Sequence, residues 1–174
     1  MQLVLPSSEY KESFLEAVKE YQKDKSNDRV DILFLNTTLL KDDFQSYVDK
    51  LEDRSHGKNL PNGYVADTTY WLVDNNEFIG RVSLRHELTQ NLLREGGHIG
   101  YDIRPSKRNN GYGKKALELA LPKAKALGIT KALITCDETN IGSKKIIEVN
   151  GGILENSISM GNGKPQKLRY WIRL

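Results

Sequence analysis

"RNNGYGKK", residues 108–115, places two glycines and three cations within eight residues near the middle of the chain. A glycine pair separated by one residue lets backbone N–H groups approach a ligand closely, and neighbouring cations favour a phosphate. The same letters also suit a basic turn that opens a solvated helix. Upstream, "HIGYDIR" (98–104) reads as a strand. Downstream, Lys114–Leu127 repeats Ala116, Leu117, Ala120, Leu121, Ala124 and Leu127 at helical spacing, with Gly128 suited to its stop. Pro122 lies inside that helix and predicts a bend.

Further out, "TTYWLVD" (68–74) and "EFIGRVSLRHEL" (77–88) read as an antiparallel hairpin, and "TQNLLREGG" (89–97) as a loop. Met1–Leu5 predicts a short first strand. Ser7 or Ser8 can cap a helix carrying Phe14, Leu15, Val18 and Tyr21, which "KDKSNDR" (23–29) breaks. A second helix is predicted from about Asp42 to Arg54, with Phe44, Tyr47, Val48 and Leu51 on one face. "SHGKNLPNGYVADT" (55–68) is loop. "KALITCD" (131–137) is apolar enough for a strand covered on both faces. A short helix over Ile141–Val149 can be capped by Asn140. "ILENSISM" (153–160) and "KLRYWIRL" (167–174) close the chain as strands. The order β-α-α-β-β-β-α-β-α-β-β predicts an α/β or α+β domain with one mixed sheet, residues 1–174 forming a single unit.

Composition narrows the classes. The 174 residues suffice for one core without disulfides or metals, and a net charge of +3 does not by itself argue for nucleic acid. Cys136, the single cysteine, rules out an internal disulfide and Cys-rich zinc sites, and reads as a small buried apolar residue. No apolar run nears the roughly 20 residues of a membrane span, and the N-terminus lacks the pattern of a signal peptide. A cytoplasmic protein is expected, with no metal, nucleic-acid or membrane partner.

Three phosphate-binding patterns compete for the glycine stretch. A Walker-type loop needs a glycine where Arg108 stands and a Ser or Thr after its lysine, where Lys115 stands, so it fails. The dinucleotide pattern G-x-G-x-x-G/A matches Gly111, Gly113 and Ala116, but "PSKRNN" (105–110) separates the strand from the first glycine, and too little chain follows for a doubly wound sheet. The third pattern, R-x-x-G-x-G from Arg108, lies between a strand and an amphipathic helix. This region resembles motif A of the GCN5-related N-acetyltransferase (GNAT) superfamily. The following strand and the N-x-x-S helix start at Asn140 and Ser143 extend the resemblance, which is sharpest from Gly97 to Gly152.

The resemblance implies a mostly antiparallel mixed sheet with helices on both faces and a splayed pair of central strands. It implies that Tyr101, Asp102 and Ile103 offer backbone to the pantetheine arm of acetyl-CoA, and that Arg108, Asn109, Asn110, Gly111, Tyr112, Gly113 and Lys114 wrap its pyrophosphate. Asn140 and Ser143 would join the coenzyme site. Arg104, Lys107, Arg108 and Lys115 are candidates for the 3′-phosphate. The implied activity is direct acetyl transfer to a primary amine of a small molecule or peptide, and a homodimer is an open arrangement. Two rivals stand beside it, a non-catalytic coenzyme A binding module and a nucleotide-cofactor enzyme.

Catalysis needs an acid or donor for the thiolate and a base for the amine. Many relatives place a Tyr seven residues after the helix-starting Asn; this chain has Ile147 there, and Ser143 is the substitute donor on offer. Gly152 stands where the family often carries Phe. His86, Glu87, Glu95 and His98 are the candidate bases, His98 because it opens the strand where the acetyl group should sit and titrates near neutral pH. Alternation sets His98, Gly100 and Asp102 on one face and Ile99 and Tyr101 on the other. Tyr64, Tyr70, Trp71, Tyr170 and Trp171 are expected in core or interface.

Overall fold

The computed structural model describes residues 1–24 and 37–174. Strand β1 (Gln2–Val4) leads to helix α1 (Lys11–Lys23), then α2 (Thr37–Asp42) and α3 (Phe44–Ser55). The hairpin β2 (Asp67–Asp74) and β3 (Glu77–Arg85) precedes β4 (Ile99–Ile103). Helix α4 (Tyr112–Ala126), β5 (Lys131–Asp137), α5 (Ile141–Val149), β6 (Ile153–Ile158) and β7 (Lys167–Arg173) complete the order. Helix α1 ends at Lys23; the rest of the predicted break, residues 25–29, lies outside the described residues. Helix α2 was not legible from periodicity. Asp43 caps α3, its carboxylate accepting the Ser46 N–H at 3.0 Å. Helix α4 runs on through Pro122.

The expected sheet is divided at its centre. One ladder has the order β1-β2-β3-β4 and the other β5-β7-β6, and every pairing within them is antiparallel. Strands β4 and β5 meet at their beginning, where the His98 N–H donates to the Leu133 carbonyl at 2.7 Å. No ladder joins them beyond that point. Gly97 allows the approach: it has φ 68°, and a Cβ there would lie 2.5 Å from the Leu133 carbonyl oxygen.

Helices cover both faces. On β2, Trp71 and Val73 face one side and Leu72 the other, following strand alternation. Trp71, Val73 and Phe78 pack with Phe14, Val18 and Tyr21 of α1, Leu40 of α2, and Phe44, Tyr47 and Leu51 of α3. Leu72, Val82, Leu84, Ile99 and Ile103 pack with Ala116, Leu117, Ala120 and Ala124 of α4. Ala132, Ile134, Leu168, Tyr170 and Ile172 extend that second core across the other ladder. Of the aromatics expected inside, Trp71 and Tyr170 are buried, whereas Tyr64 is 60% exposed.

Candidate active site

The divergence of β4 from β5 opens a cleft of about 1190 Å³. Ile99–Asp102 form one wall, Ile134–Asp137 the other, and Asn140–Ser143 at the start of α5 close one end together with Arg108. The opposite end is framed by Arg54, Asp67, Arg81, Ser83 and Arg85 and rimmed by Tyr64 and Glu95.

Helix α4 starts beside that closed end. Asn109 (φ 62°) and Gly111 (φ 79°) take left-handed backbone conformations that turn successive amides outward. Among the described residues, the N–H groups of Asn109 through Lys114 have no backbone acceptor; the first amide of this run to find one is Lys115, bonded to the Gly111 carbonyl at 3.2 Å. Six consecutive donors at a helix N-terminus suit an anion rich in oxygen. The Asn110 amide braces the loop from within, donating to the Lys107 and Arg108 carbonyls at 3.3 and 3.0 Å. Tyr112 donates its hydroxyl to Asp74 at 3.2 Å and so ties the helix start to β2.

The two glycines serve different ends. Gly111 needs its positive φ, and a Cβ there would meet nothing within 4 Å. Gly113 would put a Cβ 2.6 Å from Ile146 Cδ1, so its lack of a side chain lets α4 pack closely on α5. Asn150 reinforces that contact from the end of α5, donating to the Lys114 carbonyl at 3.3 Å.

The basic window is occupied differently than its sequence suggested. Arg104 is 7% exposed and bonds Glu20 at 2.7 Å and Glu77 at 3.0 Å, with Glu16 at 3.5 Å. Lys107 pairs with Glu77 at 2.6 Å, and Lys115 with Glu118 at 2.6 Å. Arg108 pairs with Asp24 at 2.6 Å and donates to the Ile103 carbonyl at 3.1 Å. Arg104, Lys107 and Arg108 fasten the loop to α1, β3 and β4, while Lys115 pairs within α4. Lys114 makes no ion pair among the described residues.

Of the four candidate bases, Glu95 lines the cleft and the other three do not. His86 lies on the α4 side of the sheet, its Nε2 2.8 Å from Thr68 Oγ1, and Glu87 is exposed at the strand end. His98 Nδ1 accepts the Leu133 N–H at 2.9 Å, so that nitrogen carries no proton and the ring fastens β4 to β5. His86, Glu87 and His98 thus stand outside the lining of the cleft. Burial, and secondarily the charge of Arg85, holds the His98 pKa below its ordinary 6.5. A depressed pKa makes the tie fully present above 6.5, where the unfolded histidine is also neutral, and lost as pH falls through the folded value. Urea midpoints should therefore drop for the wild type as pH falls below about 6.5, and drop less for His98→Asn; parallel curves would exclude the tie.

Ser143 does lie in the cleft. Asn140 caps α5 by accepting the Ser143 N–H at 2.9 Å, and the serine Oγ sits 2.8 Å from the Tyr101 hydroxyl. Alternation turns Tyr101 toward α4 and α5, while Asp102, opposite Arg81 in register, faces the other side of the sheet and lines the cleft. Ile103 contributes a 9% exposed side chain to the core. Ile147 is fully buried and presents nothing to the cleft. Gly152 could not carry a side chain, since its Cβ would stand 2.4 Å from Ile147 Cγ2 and 2.8 Å from the Ile147 carbonyl oxygen. Cys136 lines the wall as a buried thiol, its pKa pushed up to about 11 chiefly by burial. Arg85 bonds the Gly96 and Gly97 carbonyls at 3.2 and 3.1 Å and so steadies the turn that leads into β4.

Residues 16–153 match the model of the acetyltransferase (GNAT) domain. The chain belongs to the GNAT acetyltransferase family. Solved structures agree in fold. The microcin C7 self-immunity acetyltransferase MccE, solved with acetyl-CoA and AMP, matches at 16% identity and TM-score 0.69, covering 99% of this chain and 91% of that one. RimL, the ribosomal L7/L12 alpha-N-protein acetyltransferase in complex with coenzyme A, matches at 17% identity and TM-score 0.66, covering 99% and 93%. RimJ of Mycobacterium smegmatis, in complex with CoA-disulfide, matches at 15% identity and TM-score 0.70, covering 98% and 80%. No curated protein matches the sequence. Among the described residues, no helix of this GNAT chain is long and apolar enough to cross a membrane.

Proposed function

We propose that this GNAT protein is an acetyl-CoA-dependent N-acetyltransferase acting on a primary amine by direct transfer. The observation that carries the reading is the run of N–H groups from Asn109 to Lys114, beside the closed end of the cleft, that find no backbone acceptor among the described residues. They would take the coenzyme pyrophosphate, and the edge of β4 that has no ladder partner would pair with the pantetheine arm. The amine would enter from the end framed by Arg54, Asp67 and Arg85, with Glu95 at the rim to pass its proton to water. The amine nitrogen attacks the thioester carbon, the C–S bond breaks, and the electron pair leaves on sulfur. The alpha-N-protein acetyltransferase activity in the name of RimL supports an amine acceptor.

Calorimetric titration with acetyl-CoA, with NADP in parallel, tests the cofactor. One-to-one binding of acetyl-CoA alone is expected. Binding of NADP instead would replace the reading with the dinucleotide one. Acetyl-CoA bound but never turned over with any of a broad set of primary amines would leave the non-catalytic binding module.

A further inference from the structure

We propose that Tyr101 is a positioning residue for the leaving thiolate: its hydroxyl donates to Ser143 Oγ and thereby aims the serine O–H at the coenzyme sulfur. The inference rests on the coenzyme reading given above. To Ser143, the substitute donor of the N-x-x-S pattern, it adds a tyrosine from a strand 42 residues away.

The helix position from which a donor would be expected holds Ile147, which is fully buried. One turn earlier, Ser143 is half-buried and lines the cleft. A serine hydroxyl alone rotates freely and has nothing to fix its proton. Here the phenol oxygen sits 2.8 Å from Oγ and 3.4 Å from the Ser143 carbonyl oxygen. With Tyr101 as donor, one lone pair of Oγ is occupied and the serine proton is left to turn into the cleft. The Asn140 cap on the Ser143 N–H fixes the serine backbone at the same time.

The Ser143 carbonyl oxygen, which can only accept, lies 3.4 Å from the phenol oxygen, and this contact assigns the phenol as the donor toward Ser143. Burial pushes the Tyr101 hydroxyl up to about 12, so it keeps its proton throughout the working range. An ordinary thiol loses its proton near 8.5. Full transfer from the phenol to the thiolate would run uphill, so the pair acts by hydrogen bonding to the departing sulfur. Oriented hydroxyls in a site shielded from water stabilise a developing charge more than mobile water does. The balance is simple: the C–N bond forms, the C–S bond breaks, sulfur keeps the pair, and the amine proton leaves to water.

The test needs no acceptor. Coenzyme A is bound to the intact protein, and its thiol is titrated through the ultraviolet thiolate band against the complex with desulfo-coenzyme A. In the wild type the bound thiol should titrate at least one pH unit below the ordinary value of about 8.5. Tyr101→Phe should return at least half of that shift while coenzyme affinity stays within threefold. Ser143→Ala should return more, and it keeps the test available if the phenylalanine variant folds poorly. A role limited to packing would leave the thiol titration where it was. An unshifted thiol in the wild type, or equal titrations in wild type and variants, would overturn the assignment while leaving the coenzyme reading intact. Failure of coenzyme A to bind at all would overturn both.

Discussion

Gly111→Val should bind coenzyme A on the order of 10²- to 10⁴-fold more weakly than the wild type while remaining folded. The site has space for the side chain, since nothing lies within 4 Å of a Cβ at this position. What it lacks is tolerance of the backbone angle. Gly111 holds φ 79°, a conformation that β-branched residues avoid. Valine would turn the peptide, and the amides flanking it would no longer converge with those of Tyr112 to Lys114. A hydrogen bond to a charged group contributes about 1.5–3 kcal/mol, so losing two gives the quoted range. Calorimetric titration measures the affinity and a thermal melt checks the fold. A folded variant with wild-type affinity would remove the loop from the coenzyme site. Gly113→Ala makes a useful contrast, since its Cβ presses on Ile146 and bears on helix packing rather than on the amide run.

Phe14→Ala should destabilise the protein by about 3–5 kcal/mol, lowering Tm on the order of 10 °C. Phe14 has no exposed surface and sits at the centre of an aromatic cluster. Its ring stacks on Trp71 at 4.6 Å and 15°, and meets Phe78 edge-on at 5.0 Å. Tyr47 and Phe44 of α3 complete the surround at 5.5 and 5.7 Å. Removing the ring leaves a cavity bounded by three elements that cannot close on it without losing their own contacts. Chemical denaturation at neutral pH reads the loss directly; a change below about 1 kcal/mol would show that the cluster collapses freely.

Local signals carried the elements and much of the site. The switch from period two to helical spacing around Gly111, the Asn140 cap and the hairpin turn at Asn75-Asn76 were all visible in the letters, because each is decided within a few residues. The partners of the basic window were not. Arg104 is neutralised by carboxylates from α1 and β3, more than 25 residues away or further, and no periodicity announces such meetings. His98 was legible as the first residue of the strand at the splay, yet its imidazole is tied to the backbone of β5, which only the folded arrangement of the two ladders defines. The alternation that put Tyr101 opposite His98 was correct from sequence. Its hydroxyl partner, Ser143, belongs to a different element and became visible once α5 was docked.

The division of the sheet also orders how the chain can be assembled in time. β2 and β3 meet through a two-residue connection, Asn75-Asn76, whereas β1 reaches its register only by pairing Gln2 with Val73. Closing a long loop costs more entropy than closing a short one and slows the step that requires it. The bond between His98 and Leu133 depends on both ladders being present, so the walls of the cleft come together after their parts have formed. A nascent chain would hold a complete first ladder before it held a place for the coenzyme.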